Sequence, residues 1–159
     1  MSNDELMEFT EYGRQVFKIN KITKQVWINY GYACLTMAGA DGEVAEAEFN
    51  HLADGAVAMG ATEDIIQAWR DFDFKSGDLN ELLPTLVADA PINAARSLVY
   101  SGIKMSRADG RYHPDEQGAV MKAAEILGVE AHVVSSLEAL AEMEDSVERL
   151  RASLLENEI

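Results

Sequence analysis

The sequence predicts an all-α fold of seven or eight helices, built as one domain over residues 1–159. Three observations carry this. No stretch alternates apolar and polar residues at the period of two that a half-buried strand requires. Glycine and proline fall at the ends of helical segments rather than between short β-rich runs. A D-G-x5-E pattern also occurs twice between helical segments, as Asp41-Gly42 to Glu48 and as Asp109-Gly110 to Glu116. The match extends outward at a constant offset of 68 positions: Met37 with Met105, Gly60 with Gly128, Ile65 with Val133, Ile66 with Val134, Trp69 with Leu137. In-phase apolar positions and a second shared glycine imply an internally duplicated helix–loop–helix unit, repeat one over about 25–70 and repeat two over about 92–138.

Taken in order, residues 4–18 place Leu6, Phe9, Tyr12, Val16 and Phe17 at helical spacing, with Ser2, Asn3 or Asp4 as cap. Lys18, Lys21 and Lys24 form the main basic patch and read as a solvated face. Residues 22–40 give a long apolar helix through Ile22, Val26, Trp27, Tyr30, Ala33, Cys34 and Met37, ended by Asp41-Gly42. A third helix over about 45–59 turns Phe49, Leu52, Ala56 and Met59 inward and stops at Gly60. Thr62 caps a short helix carrying Ile65, Ile66 and Trp69.

The connector 71–80 is pinned to the core by Phe72 and Phe74, and a helix over about 79–89 follows, limited by Pro84. Pro91 opens the second long helix, which Asp109-Gly110 ends. His113-Pro114-Asp115-Glu116 restarts the chain as a helix, with proline at its first position and Glu116 at the capping-box position. The last helix, about 130–157, spaces Val133, Val134, Leu137, Leu140, Val147, Leu150 and Leu154 by threes and fours. That seam is expected to fold back on the domain; the alternative is a homodimer contact through this C-terminal helix.

The charge narrows the function. With 13 basic and 28 acidic residues the formal net charge is −15, and the sequence pI is near 4.4. A nucleic-acid partner needs a basic surface, so that class is excluded, and docking on anionic lipid is disfavoured. Divalent cations or a basic protein partner remain compatible. No apolar run reaches the ~20 residues of a membrane span, and the acidic N-terminus lacks the features of a signal peptide. The expectation is a cytoplasmic protein without direct membrane insertion. Cys34, the one cysteine, reads as a buried, inert thiol.

The repeated loop carries the candidate chemistry. A calcium-binding EF-hand loop reads D-x-[DN]-x-[DN]-G-x5-E, and each loop here matches its second half. The first half is missing: Met37 and Gly39, and Met105 and Arg107, stand where two ligands belong. The candidate ligands are Asp41, Glu43, Glu46 and Glu48 in loop one, and Asp109, Asp115 and Glu116 in loop two. Calcium takes six to eight oxygens, so one loop alone binds weakly unless the fold brings the two together. Loop one is richer, because Arg111 and Pro114 replace Glu43 and Glu46. His113 offers a nitrogen to zinc or a transition metal, but a surface position beside the helix cap accounts for it as well. His51 and His132 are isolated. The competing reading needs no metal: Asp-Gly is a common helix-ending turn, and a glutamate early in the next helix is favourable by itself.

These residues resemble the TerB (tellurite-resistance) family, within a wider group that includes the N-terminal domain of the DjlA co-chaperones. The shared pattern is helix–(A/S)DG–x3–5–acidic–helix. Here it covers roughly residues 25–130, and Ser106-Arg107-Ala108-Asp109-Gly110 through Asp115-Glu116 to Leu127-Gly128 is the closer copy. Asp71-Phe72-Asp73-Phe74 is similar to a further family feature. The resemblance implies a small helical, cytoplasmic, non-enzymatic protein tied to tellurite and other stress responses. It also implies divalent metal binding, calcium included, through Asp41, Glu46 and Glu48 and through Asp109, Asp115 and Glu116. The basic N-terminal stretch of some members is absent, apart from the lysines at 18–24.

Two functions therefore compete: a metal-responsive module that presents itself to a protein partner, and a metal-independent helical scaffold or co-chaperone-like adaptor. No H-E-x-x-H, nucleophile motif or phosphate-binding glycine loop argues for an enzyme.

Overall fold

The computed structural model describes residues 5–17, 19–87 and 94–156. Among them the chain forms eight α-helices and one two-stranded antiparallel sheet. In order these are β1 (Leu6–Glu8), α1 (Glu11–Phe17), β2 (Lys21–Thr23), α2 (Lys24–Ala38), α3 (Glu46–Met59), α4 (Glu63–Arg70), α5 (Leu79–Val87), α6 (Ala94–Ser106), α7 (Pro114–Leu127) and α8 (Ala131–Leu155).

Helix α2 is the axis of the fold and packs against α4, α5, α6 and α7. Its apolar and small residues let neighbours approach on several sides, and Trp27, Ala33, Cys34, Met37 and Ala38 are buried. Gly31 shows how close the approach is. A Cβ there would stand 2.0 Å from Trp69 Cε2, so only glycine admits the indole of α4. That indole is fixed by its Nε1–H, which donates to the Ile28 carbonyl at 3.1 Å. The connector is pinned as its aromatics suggested: Phe72 stacks on Tyr32 at 4.0 Å, and Phe74 fills the space over Gly39.

The expected first helix over 4–18 is corrected. Leu6–Glu8 pairs with Lys21–Thr23, Met7 opposite Ile22, and the helix starts only at Glu11. Thr10 sets that start, because its hydroxyl accepts the Gly13 N–H at 3.1 Å. The long apolar helix expected from residue 22 starts at Lys24, where Thr23 caps it with a hydroxyl that accepts the Val26 N–H at 3.2 Å. The proposed caps Ser2, Asn3 and Asp4, the patch residue Lys18, the end of the helix beyond Val87 and the helix start at Pro91 lie outside the described residues. Lys24 is no longer a free patch charge; it pairs with Asp64.

Pro84 does not limit α5. It lies inside the helix, which runs on to Val87, and its ring faces solvent. Leu79 and Leu83 are buried against the body, and that burial outweighs the one backbone hydrogen bond a proline removes. Helix α8 folds back only in part. Val134 and Ala141 are buried, and Asp145 is tied to Lys104 at 3.2 Å and Arg107 at 3.1 Å. Beyond that the apolar seam is exposed.

Candidate functional site

The two D-G loops have the same local build. In loop one the chain leaves α2 through a 3-10 turn, Gly39–Asp41, and Gly42 N donates to the Gly39 carbonyl at 3.0 Å. In loop two Gly110 N donates to the Arg107 carbonyl, also at 3.0 Å. Gly42 has φ +105° and Gly110 φ +86°, the left-handed region in which a side chain is strained. Each loop aspartate then turns the chain: Asp41 Oδ1 accepts the Glu43 N–H at 3.1 Å, and Asp109 Oδ1 accepts the Arg111 N–H at 2.8 Å.

The glutamate that closes each motif reaches back to the head of its helix. Glu48 Oε2 accepts the Ala45 N–H at 2.9 Å, and Glu116 Oε1 accepts the His113 N–H at 3.0 Å. This is the reciprocal half of a capping box, which draws the carboxylate off the surface. Both side chains end up 1% exposed, two of the three buried polar residues among those described, with Ser106 the third.

The fold then brings the two loops face to face. The 3-10 turn of loop one packs on α7, and α3 packs on α6. Glu48 and Glu116 meet within hydrogen-bond reach of each other. Burial pushes the Glu48 carboxyl up to about 8, and the negative charges of Glu116 and Asp109 push in the same direction. Burial likewise raises Glu116, and Asp41 adds to it. Each glutamate thus feels the aspartate of the opposite loop. Two carboxyls this close in a dry site favour sharing a proton over carrying two charges.

The satisfaction of the pair is incomplete. Glu116 Oε2 and Ser106 Oγ are buried and have no hydrogen-bond partner of good geometry. Their proximity still lets the hydroxyl favour the charged form of Glu116. Ser106 was missed in the sequence, although it stands at the position Ala38 holds in loop one and puts a hydroxyl there.

The other predicted ligands do not join this centre. Glu43, Glu46 and Asp115 are exposed. The Asp115 carboxylate lies 3.6 Å from His113 Nδ1, which itself accepts the Asp115 N–H at 3.0 Å. His113 is therefore the helix cap. Among the described residues, no group of three or more histidine, cysteine, aspartate and glutamate side chains is arranged to hold a metal ion. The outer side of loop two is a groove of about 420 Å³ lined by Arg107, Arg111, Tyr112, Asp145, Glu148 and Arg149 among others. The guanidinium of Arg107 sits 5.9 Å above the Tyr112 ring.

A family model described as tellurite resistance protein TerB matches residues 28–139, from the second turn of α2 to the first third of α8, with both loops inside it. The chain belongs to the TerB family. Its fold agrees. The crystal structure of a tellurite resistance protein from Nostoc punctiforme superposes with a TM-score of 0.74, covering 94% of this chain and 98% of that chain at 24% identity. Among curated proteins none matches in sequence. Both facing glutamates of this TerB domain therefore lie within the family match, and the exposed end of α8 lies beyond it. Among the described residues, no helix is long and apolar enough to cross a membrane.

Proposed function

We propose that this TerB protein is a non-enzymatic, cytoplasmic interaction module whose state is set by a divalent cation at the facing glutamates of its two loops. One observation carries the reading. Glu48 and Glu116, brought together from loops 68 positions apart, form a buried carboxyl pair with an oxygen left over, Glu116 Oε2. The donor types fit a hard cation such as calcium or magnesium: two carboxyls, the Ser106 hydroxyl, and Asp41 and Asp109 alongside. The cation would supply the positive charge that lets both carboxyls ionise. Waters and loop carbonyls would complete its shell, because the pair alone falls short of six oxygens. An internal duplication accounts for the matched build of the two loops.

The chain's own part is proton exchange. Without a cation the pair holds a proton, so binding releases it, and affinity rises as the pH approaches and passes about 8. Exchanging that proton for a dication makes the two loops less negative and draws them together, and a protein partner reads that change.

The test is calorimetry with calcium, magnesium, manganese and zinc at about pH 6 and about pH 9, in buffers of different ionisation heat. Expected are proton release on binding and loss of binding in Glu48→Gln and Glu116→Gln. Either amide keeps an oxygen for the capping N–H, so the fold survives. No heat and no thermal shift with any of these ions would overturn the reading.

A second reading has its own support: both glutamates already serve their helix caps, and no larger ligand group forms around them. The protein would then be a metal-independent scaffold or co-chaperone-like adaptor, and Glu48→Gln would leave partner capture unchanged.

A further inference from the structure

The buried polar side-chain atoms that lack a partner all belong to one repeat. Among the described residues they are Ser106 Oγ, Tyr112 OH and Glu116 Oε2. The positions 68 residues earlier hold Ala38, Val44 and Glu48. Loop one thus closes with apolar side chains where loop two carries two hydroxyls. A buried hydroxyl without a hydrogen bond costs free energy that an alanine does not. Ala38 is fully buried, as Ser106 is, so this backbone closes without the hydroxyl.

Two of the three atoms stand together. The Ser106 hydroxyl is near enough to Glu116 to favour its charged form, yet neither Oγ nor Oε2 completes a hydrogen bond. The other Glu116 oxygen is taken by the His113 N–H. Tyr112 has a separate explanation, because Glu138 of α8 lies beside its hydroxyl. Ser106 and Glu116 have none within the chain. Two oxygens with free lone pairs, side by side and closed off from solvent, are what a hard cation bridges.

The charge of the pair leans the same way. Burial raises both glutamates, but the hydrogen bond they share raises Glu48 and lowers Glu116. The proton therefore resides on Glu48 and the negative charge on Glu116. The aspartates divide likewise: Asp41 acts on Glu116, and Asp109 acts on Glu48. One half of the centre has Glu116, Ser106 and Asp41, with the spare oxygen, the hydroxyl and the charge. The other half has Glu48, Ala38 and Asp109, with the proton and no hydroxyl.

We infer that one cation binds per chain, off the centre of the glutamate pair, between Glu116 Oε2 and Ser106 Oγ and within the field of Asp41. This rests on the cation reading proposed above and adds to it the position, the number and the residue that selects the half. Glu48 gives its proton to solvent as the cation enters, and its carboxylate then balances the charge. One carboxylate and one hydroxyl touch the ion, and water fills the rest of its shell. Such a donor set needs no cluster of three acids, and none forms among the described residues.

The four cations titrated above, applied to Ser106→Ala, Asp41→Asn and Asp109→Asn in the whole chain, test the placement. Each asparagine keeps the Oδ1 that accepts the loop N–H, so both turns remain. Expected are one ion per wild-type chain and a dissociation constant raised about tenfold in Ser106→Ala. Asp41→Asn should weaken binding more than Asp109→Asn. A second readout needs no cation: in chelator, Ser106→Ala should melt no lower than the wild type, whereas a serine kept for structure alone would be missed. Wild-type affinity in Ser106→Ala, while Glu116→Gln abolishes binding, overturns the placement and leaves the cation reading standing. Two ions per chain, a greater loss in Asp109→Asn, or a lower melting temperature of Ser106→Ala in chelator also overturns the placement alone. No heat from the wild type with any of the four ions overturns both.

Discussion

Loop one and loop two share a backbone and differ in almost everything that backbone does not use. Each ends a long helix at a left-handed glycine, each spends its aspartate on the N–H two residues on, and each buries the glutamate of its capping box. Outside that frame they part. Loop one presents Glu43 and Glu46 to solvent, while loop two presents Arg111 and His113 and carries Arg107 in a groove beside α8. The lesson concerns where chemistry can vary. The aspartate, glycine and glutamate that do backbone work are the same in both loops; the outer positions hold nothing up and are acidic in one loop and partly basic in the other. The inner pair is thus symmetrical in its backbone bonds, and the surface around it is not.

The largest effect that would break this comparison is electrostatic. The folded protein holds Glu48 protonated up to about 8, whereas the unfolded chain releases that proton near 4.5. Between those values the native state binds more protons than the unfolded one, so stability falls as pH rises. Without divalent cations the melting temperature should drop by about 4–8 °C from pH 5 to pH 8.5. Glu48→Gln should flatten that slope. A flat wild-type profile would mean the carboxyls do not face each other in a dry site.

Next in size are the two turn glycines. Gly42→Ala and Gly110→Ala each force a side chain into a left-handed backbone and should each cost about 1–2 kcal/mol. Equal losses in chemical denaturation sharpen the equivalence of the loops; a clear inequality breaks it.

The caps give a smaller and opposite pair of effects. Loop two has a side-chain cap, His113 Nδ1, whereas Ala45 in loop one offers none. Ala45→Ser should therefore stabilise by about 0.5–1 kcal/mol, and His113→Ala should destabilise by about the same. Thermal melts of the two single variants and the double variant would show the gain and loss adding independently.

Smallest is Asp145→Asn, which removes the pairing of α8 with Lys104 and Arg107 beside loop two. These groups are partly solvated, so the loss should stay under ~1 kcal/mol. Because its cationic partners hold the Asp145 carboxyl below the usual range against its own burial, that contribution is present at neutral pH and fades as the pH drops through the acid range.

Much of the frame was legible because local signals agreed with the global fold. Proline and glutamate at 114 and 116 and glycine at 128 marked α7 at both ends, and Gly60 marked the end of α3. The sheet was not legible, since three residues per strand are too few for a period of two to emerge from Leu6, Phe9 and Tyr12. Pro84 misled because a helix-breaking preference was judged without the burial of Leu79 and Leu83 around it. At the candidate site the sequence identified Glu48 and Glu116 as helix-starting acids. That they are buried against each other depends on α7 packing over loop one, a contact between segments far apart in the chain. The same distance hid Ser106, and it explains why Glu43, Glu46 and Asp115, neighbours only along the sequence, stay outside.

Cys34 lies fully enclosed on α2, and its thiol is pushed up to about 12 by burial. An alkylating reagent in the surrounding solution therefore reaches sulfur only when the helices part. The chain carries its own stopwatch: the labelling rate of this single thiol times how often the native bundle opens, with nothing mutated.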